Sequence, residues 1–331
     1  MSLARIRLPG HPDALCDLVA EAIVDEYARR DPAARLRISV MGGRGALFIA
    51  GDVMSQADFD VAMLIRRTVG SLGVIAEIEP FIALETVGAE RASSFGAGIE
   101  SPVAVVGYAT VETEERVPIA CSIARRLAKA LHDRRSSDEN WFWLGSDAEV
   151  VVECIQKELR VSLCVEHGTT SLEEVRKELT AFVHTLYPMA LVHVNEVGAV
   201  DVRGIAQVMG ASGRWNEPYG SAIPSGPSGV GLDLYRAEKS GAWLARAAAR
   251  ALVNGGAKAA MVRAVYRPGE RLPATIVARD ERGKDLSSLI DPTSMSLDRA
   301  ARDWVRPNLH TDAARWGFAG EFGLPWESAS N

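Results

Sequence analysis

The pattern that most restricts the fold is an alternation of amphipathic helices with short apolar strands. Apolar residues at helical spacing predict helices over 12–29, 58–72, 119–134, 172–186, 236–254 and 296–302. Alternating or continuous apolar runs predict hairpins over 35–53 and 147–165, and strands over 74–84, 103–109, 191–194, 259–266 and 275–278. Strand–helix–strand units therefore recur about three times, which indicates an α+β protein.

Two long segments lack helix or strand signals. They cover 91–102 and 206–231 and are rich in Gly, Ser and Pro. Long loops in compact proteins are usually functional or disordered, and glycine-rich backbone can bind phosphate through its N–H groups. The second segment carries Arg214, Asn216 and Ser225, but it matches neither GxxxxGK[ST] nor GxGxxG. These residues alone do not distinguish a surface loop from a phosphate-binding loop.

The charge and length narrow the class of protein. With 331 residues and a net charge of -6, we expect two or three domains and neither nucleic acid nor membrane as a main partner. No apolar run approaches the roughly 20 residues that span a bilayer, and residues 1–10 contain no apolar signal core. We therefore expect a soluble, cytoplasmic protein.

The four cysteines indicate no metal site or disulfide framework. No CxxC pair occurs, and no His lies at zinc-ligand spacing from Cys16, Cys121, Cys154 or Cys164. Cys121 and Cys164 sit in apolar runs, where a reduced thiol behaves as a small hydrophobic group. We expect all four to be inert core thiols.

The most specific motif is Gly10-His11-Pro12-Asp13, followed by Leu15-Cys16-Asp17 and Ala20-Glu21-Ala22. By itself it could be a helix start, with Pro in the first turn and Asp near the positive end of the helix dipole. The run resembles the signature of S-adenosylmethionine synthetase, in particular its archaeal branch. Other segments resemble that family in the same order: Asp31-Pro32-x-Ala34-Arg35, Gly51-Asp52, Phe95-Gly96-Ala97-Gly98, Gly107-Tyr108-Ala109-Thr110-x-Glu112-Thr113, Ser212-Gly213-Arg214, Asn216, Gly220, Ile223-Pro224, Glu238-Lys239-Ser240, Trp316-Gly317-Phe318 and Leu324-Pro325-Trp326-Glu327. The resemblance covers most of the chain.

The resemblance implies three similar α+β domains around a pseudo-threefold axis. The first would cover 10–95 completed by part of 206–245, the second 113–205 with 1–9, and the third 246–331 with about 96–112. It also implies a homodimer or a tetramer, in which two subunits pack sheet on sheet and share two active sites. The apolar strands at 103–106 and 150–152, with few long helices to cover them, favour such a dimer independently.

The reaction that the resemblance implies joins ATP and methionine. The methionine sulfur attacks the ribose C5′, and the triphosphate leaves and is hydrolysed, with Mg²⁺ and a monovalent cation assisting. Sulfur has no proton to lose, so this displacement needs little acid–base help. It needs a fixed nucleophile and a stabilised polyanionic leaving group.

The resemblance also assigns roles to individual residues. His11, Arg214 and Lys239 would contact the phosphates as catalytic residues, with Arg214 as a planar fork. The nucleotide would bind at Asp147, Gly213, Asn216 and Ser225, and Mg²⁺ at Asp13 and Glu238. Taken without the resemblance, Glu238 and Lys239 could be a solvated helix face, and Asp147 a turn residue.

Several positions depart from the family pattern. Glu149 stands two residues beyond Asp147, where the family has a Lys, and Ser39 replaces the acidic residue associated with the monovalent cation. The chain has few lysines, and the segments at 90–94 and 209–211 are shortened. Three hypotheses follow: an adenosyltransferase that makes S-adenosylmethionine or an analogue, an enzyme that cleaves or rearranges a sulfonium nucleoside without triphosphate, and a non-catalytic partner subunit.

Overall fold

A computed structural model describes residues 2–74 and 77–328. The strands of this part are β1 (Ser2–Arg7), β2 (Arg35–Gly43), β3 (Ala46–Met54), β4 (Glu79–Thr86), β5 (Val103–Thr110), β6 (Ala148–Ile155), β7 (Glu158–Val165), β8 (Leu191–Val194), β9 (Gly210–Ala211), β10 (Ala259–Tyr266) and β11 (Thr275–Asp280). The α-helices are α1 (Pro12–Arg30), α2 (Val61–Ser71), α3 (Ala92–Gly96), α4 (Ile119–Ser137), α5 (Leu172–Leu186), α6 (Ala242–Asn254), α7 (Leu297–Asp303) and α8 (Leu309–Arg315). A π-helical turn, Ala237–Gly241, precedes α6.

The strands form three sheets with the same pattern of strand pairing. The sheets run β9-β2-β3-β4, β1-β6-β7-β8 and β5-β10-β11. Each contains an antiparallel hairpin with an antiparallel strand beside its first member, and a long helix precedes each hairpin. In the first two sheets, α2 or α5 then leads to a strand parallel to the second hairpin strand. The expectation of an α+β fold built from three similar units is therefore confirmed.

Helix α1 is the most enclosed element near the candidate site. It contacts α2, α8 and β2, and most of its residues are buried, including Leu15, Val19 and Ile23. Strand β2 alternates, with Leu36, Ile38 and Val40 facing this core, as the period-two pattern of the sequence requires. Burial on several sides means that polar residues of α1 need partners inside the protein.

The opposite face of the first sheet is apolar and exposed. Met41 of β2, Phe48 of β3 and Phe81 of β4 are each between 50% and 52% exposed. The rings of Phe48 and Phe81 stack with their centroids 5.0 Å apart. Together these three residues form what we call the outer apolar face.

Local structure differs from the sequence predictions in several places. The segment 91–100, expected to be a loop, contains the short helix α3, which has too few residues for a periodic signal. The region after α7, expected to be irregular, contains α8, whose first N–H groups are bound by Asp25 of α1. The strand expected over 74–84 is Glu79–Thr86, and residues 75–76 lie outside the described part.

Two further differences concern a helix start and the thiols. The helix expected from 236 begins instead with the π-helical turn. All four cysteines are unpaired; Cys16 and Cys121 are buried as expected, whereas Cys154 and Cys164 are only half-buried.

Among the described residues, no helix has the length and apolarity needed to cross a membrane.

Candidate active site

The first element of the site is the N-terminus of α1. His11 is the N-cap, and its Nδ1 accepts a hydrogen bond from the backbone N–H of Asp13 at 3.2 Å. Pro12 occupies the first helical turn, where its missing N–H costs nothing. The other ring nitrogen, Nε2, lies 3.4 Å from Glu149 Oε1. The His11 ring is thus held at both nitrogens beside the positive end of the helix dipole.

Asp13 attaches residues 206–231, which we call the glycine-rich loop, to this helix end. Its Oδ1 accepts from the Ala211 N–H at 2.9 Å and lies 3.2 Å from an Arg214 nitrogen, and its Oδ2 accepts from the Trp215 indole N–H at 2.9 Å. At Gly210 a Cβ would lie 2.2 Å from the Pro12 carbonyl oxygen, so only glycine permits this approach. The structure therefore brings His11, Asp13 and Arg214 together, as the sequence led us to expect.

Four acidic residues of α1 follow one another at four-residue spacing, which places them on one helix face. We call Asp13, Asp17, Glu21 and Asp25 the acidic row. Asp17 accepts from the Gly213 N–H at 2.7 Å, and Asp25 accepts from the N–H groups of His310 and Thr311 at 3.0 and 2.9 Å. Asp13 and Asp17 bind the loop and Asp25 binds α8, so the row fixes both segments against α1.

Lys239 is the partner of Glu21 and is almost completely buried. Its Nζ lies 2.6 Å from Glu21 Oε2 and 2.8 Å from His310 Nδ1. Burial raises the pKa of Glu21 to about 7, although Lys239 opposes this shift, and burial lowers the pKa of His310 well below its ordinary value. The ammonium group assigned to phosphates by the resemblance is thus bound within the protein.

A second acidic group lies at the start of β6. Asp147 is fully buried; its Oδ2 accepts from the Gly204 N–H and lies 3.0 Å from Arg203 Nε, while Oδ1 has no partner among the described residues. Glu149 lies 3.4 Å from Arg203 as well as beside His11, and the hydrogen bond from His11 lowers the Glu149 pKa to about 2. The expectation that Glu149 faces the site is consistent with this contact.

The remaining loop residues hold the loop's own shape. Gly213 has φ of +70°, which favours glycine. The Asn216 side-chain amide donates to the carbonyls of Gly226 and Pro227 at 2.7 and 2.8 Å, and the Ser225 hydroxyl donates to the Asn216 carbonyl. Asn216 and Ser225 thus hold the loop together. Their side-chain amide and hydroxyl, which nucleotide binding would use, are already bonded to the loop's own carbonyl groups.

A cavity of about 120 Å³ lies beside the acidic row. We call it the Trp cavity, because Trp215, Trp243 and Trp316 line it. Its charged lining residues are Arg5, Arg7, Asp17, Glu21, Glu217, Glu238, Lys239 and Arg315. Trp215 also binds Asp13 through its indole N–H, so it forms the wall on the side of the helix N-terminus.

Of the two residues expected to bind Mg²⁺, Asp13 does not fit that role here. Both oxygens of Asp13 are occupied by protein donors, one of them a guanidinium. Glu238 lies in the π-helical turn and lines the Trp cavity. Within residues 2–74 and 77–328, no three His, Cys, Asp or Glu side chains converge as a metal site would require.

Some site residues were not expected from the sequence. Arg203 pairs with Asp147 and Glu149, and Trp215 binds Asp13. Arg5 and Arg7 of β1 both bind Glu217. Only the four-residue spacing of the acidic row was visible as a sequence signal, since it predicts one helix face; the other partners are distant in the chain.

Asp17→Asn is expected to stabilise the protein increasingly as the pH rises. Burial raises the Asp17 pKa from 3.8 to about 8, so the folded state binds more protons than the unfolded state between these values. The free energy of unfolding of the natural chain therefore falls over that window. The asparagine keeps an acceptor for Gly213 N–H without the proton, and should gain about 2 kcal/mol at pH 8 and little at pH 4.

Urea unfolding at pH 4, 6 and 8 measures this effect. Asp133→Asn, at an exposed position of α4, is the matched control and should show no such trend. An Asp17→Asn gain that is equal at all three pH values would mean that Asp17 is ionised in the folded protein.

Comparison with known proteins gives consistent matches. The family model for the S-adenosylmethionine synthetase N-terminal domain matches residues 7–88, and that for the central domain matches residues 96–196. The chain is 26% identical to the S-adenosylmethionine synthase of Thermus thermophilus and 27% identical to that of Deinococcus deserti, with 96% of this chain covered and 93% and 94% of the relatives. An unusual S-adenosylmethionine synthetase from Campylobacter jejuni has the same fold, with a TM-score of 0.83 at 19% identity over 100% of this chain and 97% of that chain.

Proposed function

This chain belongs to the S-adenosylmethionine synthetase family, and we propose that it joins the adenosyl group of ATP to the sulfur of methionine or an analogue, with release of triphosphate. The observation that carries the proposal is the convergence of His11, Arg214 and the glycine-rich loop at the N-terminus of α1. A helix N-terminus with backbone N–H groups and a guanidinium favours anionic groups. Arg214 is half exposed, so its guanidinium can reach a ligand as well as Asp13.

In this proposal the protein's own residues bind and orient. His11 and Arg214 contact the phosphates, and the fully buried Asp147 positions Arg203. The family usually uses Mg²⁺, which stabilises phosphate charge when bound. Since Asp13 does not fit as its ligand here, we assign no step to the metal.

A second candidate is favoured by one specific observation. Each of the three residues expected to bind phosphate already contacts a carboxylate: Arg214 contacts Asp13, His11 contacts Glu149, and Lys239 contacts Glu21. A triphosphate would compete with these carboxylates and meet their repulsion. A sulfonium nucleoside carries no such charge, so an enzyme that cleaves or rearranges S-adenosylmethionine or a related compound is the alternative.

Product analysis by mass spectrometry separates the candidates. The protein is incubated with ATP, methionine and Mg²⁺ in one arm, and with S-adenosylmethionine alone in the other, with His11→Asn as the inactive control. We expect S-adenosylmethionine and phosphate or triphosphate in the first arm. Consumption in the second arm only would replace the proposal by the alternative, and no turnover in either arm would indicate a non-catalytic partner subunit.

We also propose that the protein is a homodimer formed through the outer apolar face. Met41, Phe48 and Phe81 lie side by side on an exposed sheet face, and burying such a face is favourable at roughly 25 cal/mol per Å². Met41→Glu should therefore shift the protein toward monomer. A tetramer, the cytoplasmic location and the absence of nucleic-acid and membrane partners stay predictions.

Sedimentation velocity at micromolar concentration tests the dimer. Met189→Glu is the matched control, because Met189 is 90% exposed but lies in the turn before β8. We expect the natural chain and the control to sediment as dimers and Met41→Glu as a monomer or a weakened dimer. A natural chain that is monomeric at this concentration would contradict the proposal.

A further inference from the structure

A second cavity, of about 280 Å³, lies beside the C-terminal end of α1. The residues that line it come from the last two turns of α1, the start of β2, residues 233–235, and the segment 304–308 that joins α7 to α8. We call it the linker cavity after this last segment. Within the described part of the chain, no residue lines both this cavity and the Trp cavity, and no residue assigned above to the proposed function lines it. What it binds is therefore a separate question.

The walls of the linker cavity are mostly apolar. Four buried aliphatic side chains form much of them: Val24, Leu36, Leu234 and Leu309. An apolar cavity of roughly 150 Å³ binds benzene and holds no ordered water. The linker cavity is larger, so it accommodates a substituted ring or a short branched chain.

The charged groups around the linker cavity are already bound by the protein. The carboxylates of Asp25, Asp31 and Asp233 each accept at least two hydrogen bonds from protein donors. Arg29 binds Glu26 at 2.7 Å. The lining thus contains three Asp and two Arg side chains, which leaves one net negative charge. This balance does not favour an anion, and the carboxylate oxygens that a cation would need are in use.

His310 presents a donor to the cavity. The residue is 3% exposed, and its Nδ1 lies 2.8 Å from Lys239 Nζ. An ammonium group can only donate, so Nδ1 accepts, and the lowered pKa of His310 keeps the ring neutral. The ring proton is therefore on Nε2, and no acceptor for it lies among the described residues.

Arg306 of the segment 304–308 presents a second donor. Its Nη1 donates to Asp312 at 2.8 Å and to the Pro307 carbonyl at 3.3 Å. Its Nε is buried and has no hydrogen-bond partner in residues 2–74 and 77–328. A buried donor without a partner costs free energy, which an acceptor on a ligand would recover.

We propose that the linker cavity binds a small uncharged organic molecule with an apolar body and a carbonyl acceptor, which His310 Nε2 and Arg306 Nε hold by hydrogen bonds. The apolar walls enclose the body of the molecule. A carboxylate in its place would meet the repulsion of Asp25, Asp31 and Asp233. The inference does not rest on adenosyl transfer, since it concerns binding alone.

Titration calorimetry of the full chain with three probes tests the proposal. Acetophenone has a ring and a carbonyl, ethylbenzene has nearly the same shape without an acceptor, and benzoate carries a negative charge. We expect acetophenone to bind about tenfold more tightly than either of the others, which is the effect of one hydrogen bond to an unpaired donor. In a protein with ¹⁵N-labelled histidine, acetophenone should also shift the Nε2–H signal of His310, and ethylbenzene should not.

Two variants identify the site. Arg306→Met keeps the apolar stem and removes the Nε–H, so it should weaken acetophenone about tenfold and leave ethylbenzene unchanged. Arg302→Met is its matched control, because Arg302 is an exposed residue of α7 that pairs with Asp303 and lies outside the lining. Ala28→Leu should fill the cavity and weaken both probes at least about tenfold, whereas Ala130→Leu, at a half-buried position of α4, should weaken neither.

Three results would overturn the proposal. These are an acetophenone affinity no greater than that of ethylbenzene, tighter binding of benzoate than of acetophenone, and unchanged acetophenone binding in an Ala28→Leu variant with the natural unfolding midpoint. If Ala28→Leu does not fold, Arg306→Met carries the test, because the Arg306 side chain is one-third exposed and its replacement disturbs the core little. Adenosyl transfer can fail while these binding results hold, and the reverse, so the two proposals are tested separately.

Discussion

Asp13→Ala is expected to lower the free energy of unfolding by about 3 kcal/mol and to abolish ligand binding at the helix N-terminus. The change removes the acceptor of the Ala211 and Trp215 N–H groups and the carboxylate beside Arg214. Each donor left unsatisfied in a buried place costs about 1–3 kcal/mol. Because these contacts hold the glycine-rich loop to α1, the loop should also separate from the helix end.

Urea unfolding and nucleotide titration measure these two effects. Asp133→Ala removes an exposed carboxylate from α4 and should change the free energy of unfolding by less than about 0.5 kcal/mol. Asp13→Asn, which retains one acceptor, should fall between the two. Equal unfolding midpoints for Asp13→Ala and Asp133→Ala would mean that the loop is not held by this carboxylate.

Glu149→Lys is expected to raise the affinity for triphosphate, and any synthesis from ATP and methionine, by one to three decades. Glu149 lies 3.4 Å from His11 and remains ionised, since its pKa is lowered to about 2. A like charge near a phosphate costs on the order of 1–4 kcal/mol, which corresponds to those decades. The variant places a lysine beside His11, Arg7 and Arg203, so it should also be less stable.

Glu153→Lys is the matched control for this charge reversal. It lies four residues further along β6, on the same strand face, and should leave triphosphate affinity nearly unchanged. The comparison requires initial rates of S-adenosylmethionine and phosphate release for all three proteins. A natural chain that is already fast and is slowed by Glu149→Lys would mean that Glu149 does not face the phosphates.

The sequence predicted best what local spacing determines. Helix α1 and the hairpin of β2 and β3 follow from apolar periodicity and glycines, and the structure has them within a few residues. Helix α8 was not predicted, because seven residues carry little periodicity and its start depends on Asp25, far away in the chain. Local patterns do not encode such tertiary hydrogen bonds.

In the candidate site, too, the residues within sequence motifs were predicted, whereas the pairs of residues distant in the chain were not. His11 and Asp13 were predicted from a specific motif, and Arg214 from weaker motifs that follow it in the family's order; the three lie together. The ion pair of Lys239 with Glu21 joins residues 218 positions apart, and no local sequence pattern near either residue predicts it. The same is true of the ion pair of Arg203 with Asp147. Opposite charges in the sequence allow many pairings, and the sequence does not indicate which of them forms.

The acidic row also determines when the chain can complete its fold during synthesis. Helix α1 leaves the ribosome long before the segments that it binds, because Asp25 binds His310 and Thr311, and Glu21 binds Lys239. Until those segments emerge, the buried carboxyls of α1 have no partners, and its N-terminal region cannot be enclosed at low free energy. The nascent first unit must therefore remain partly open for most of translation, and its slow closure after release makes it a candidate client for chaperones that hold long-range folds.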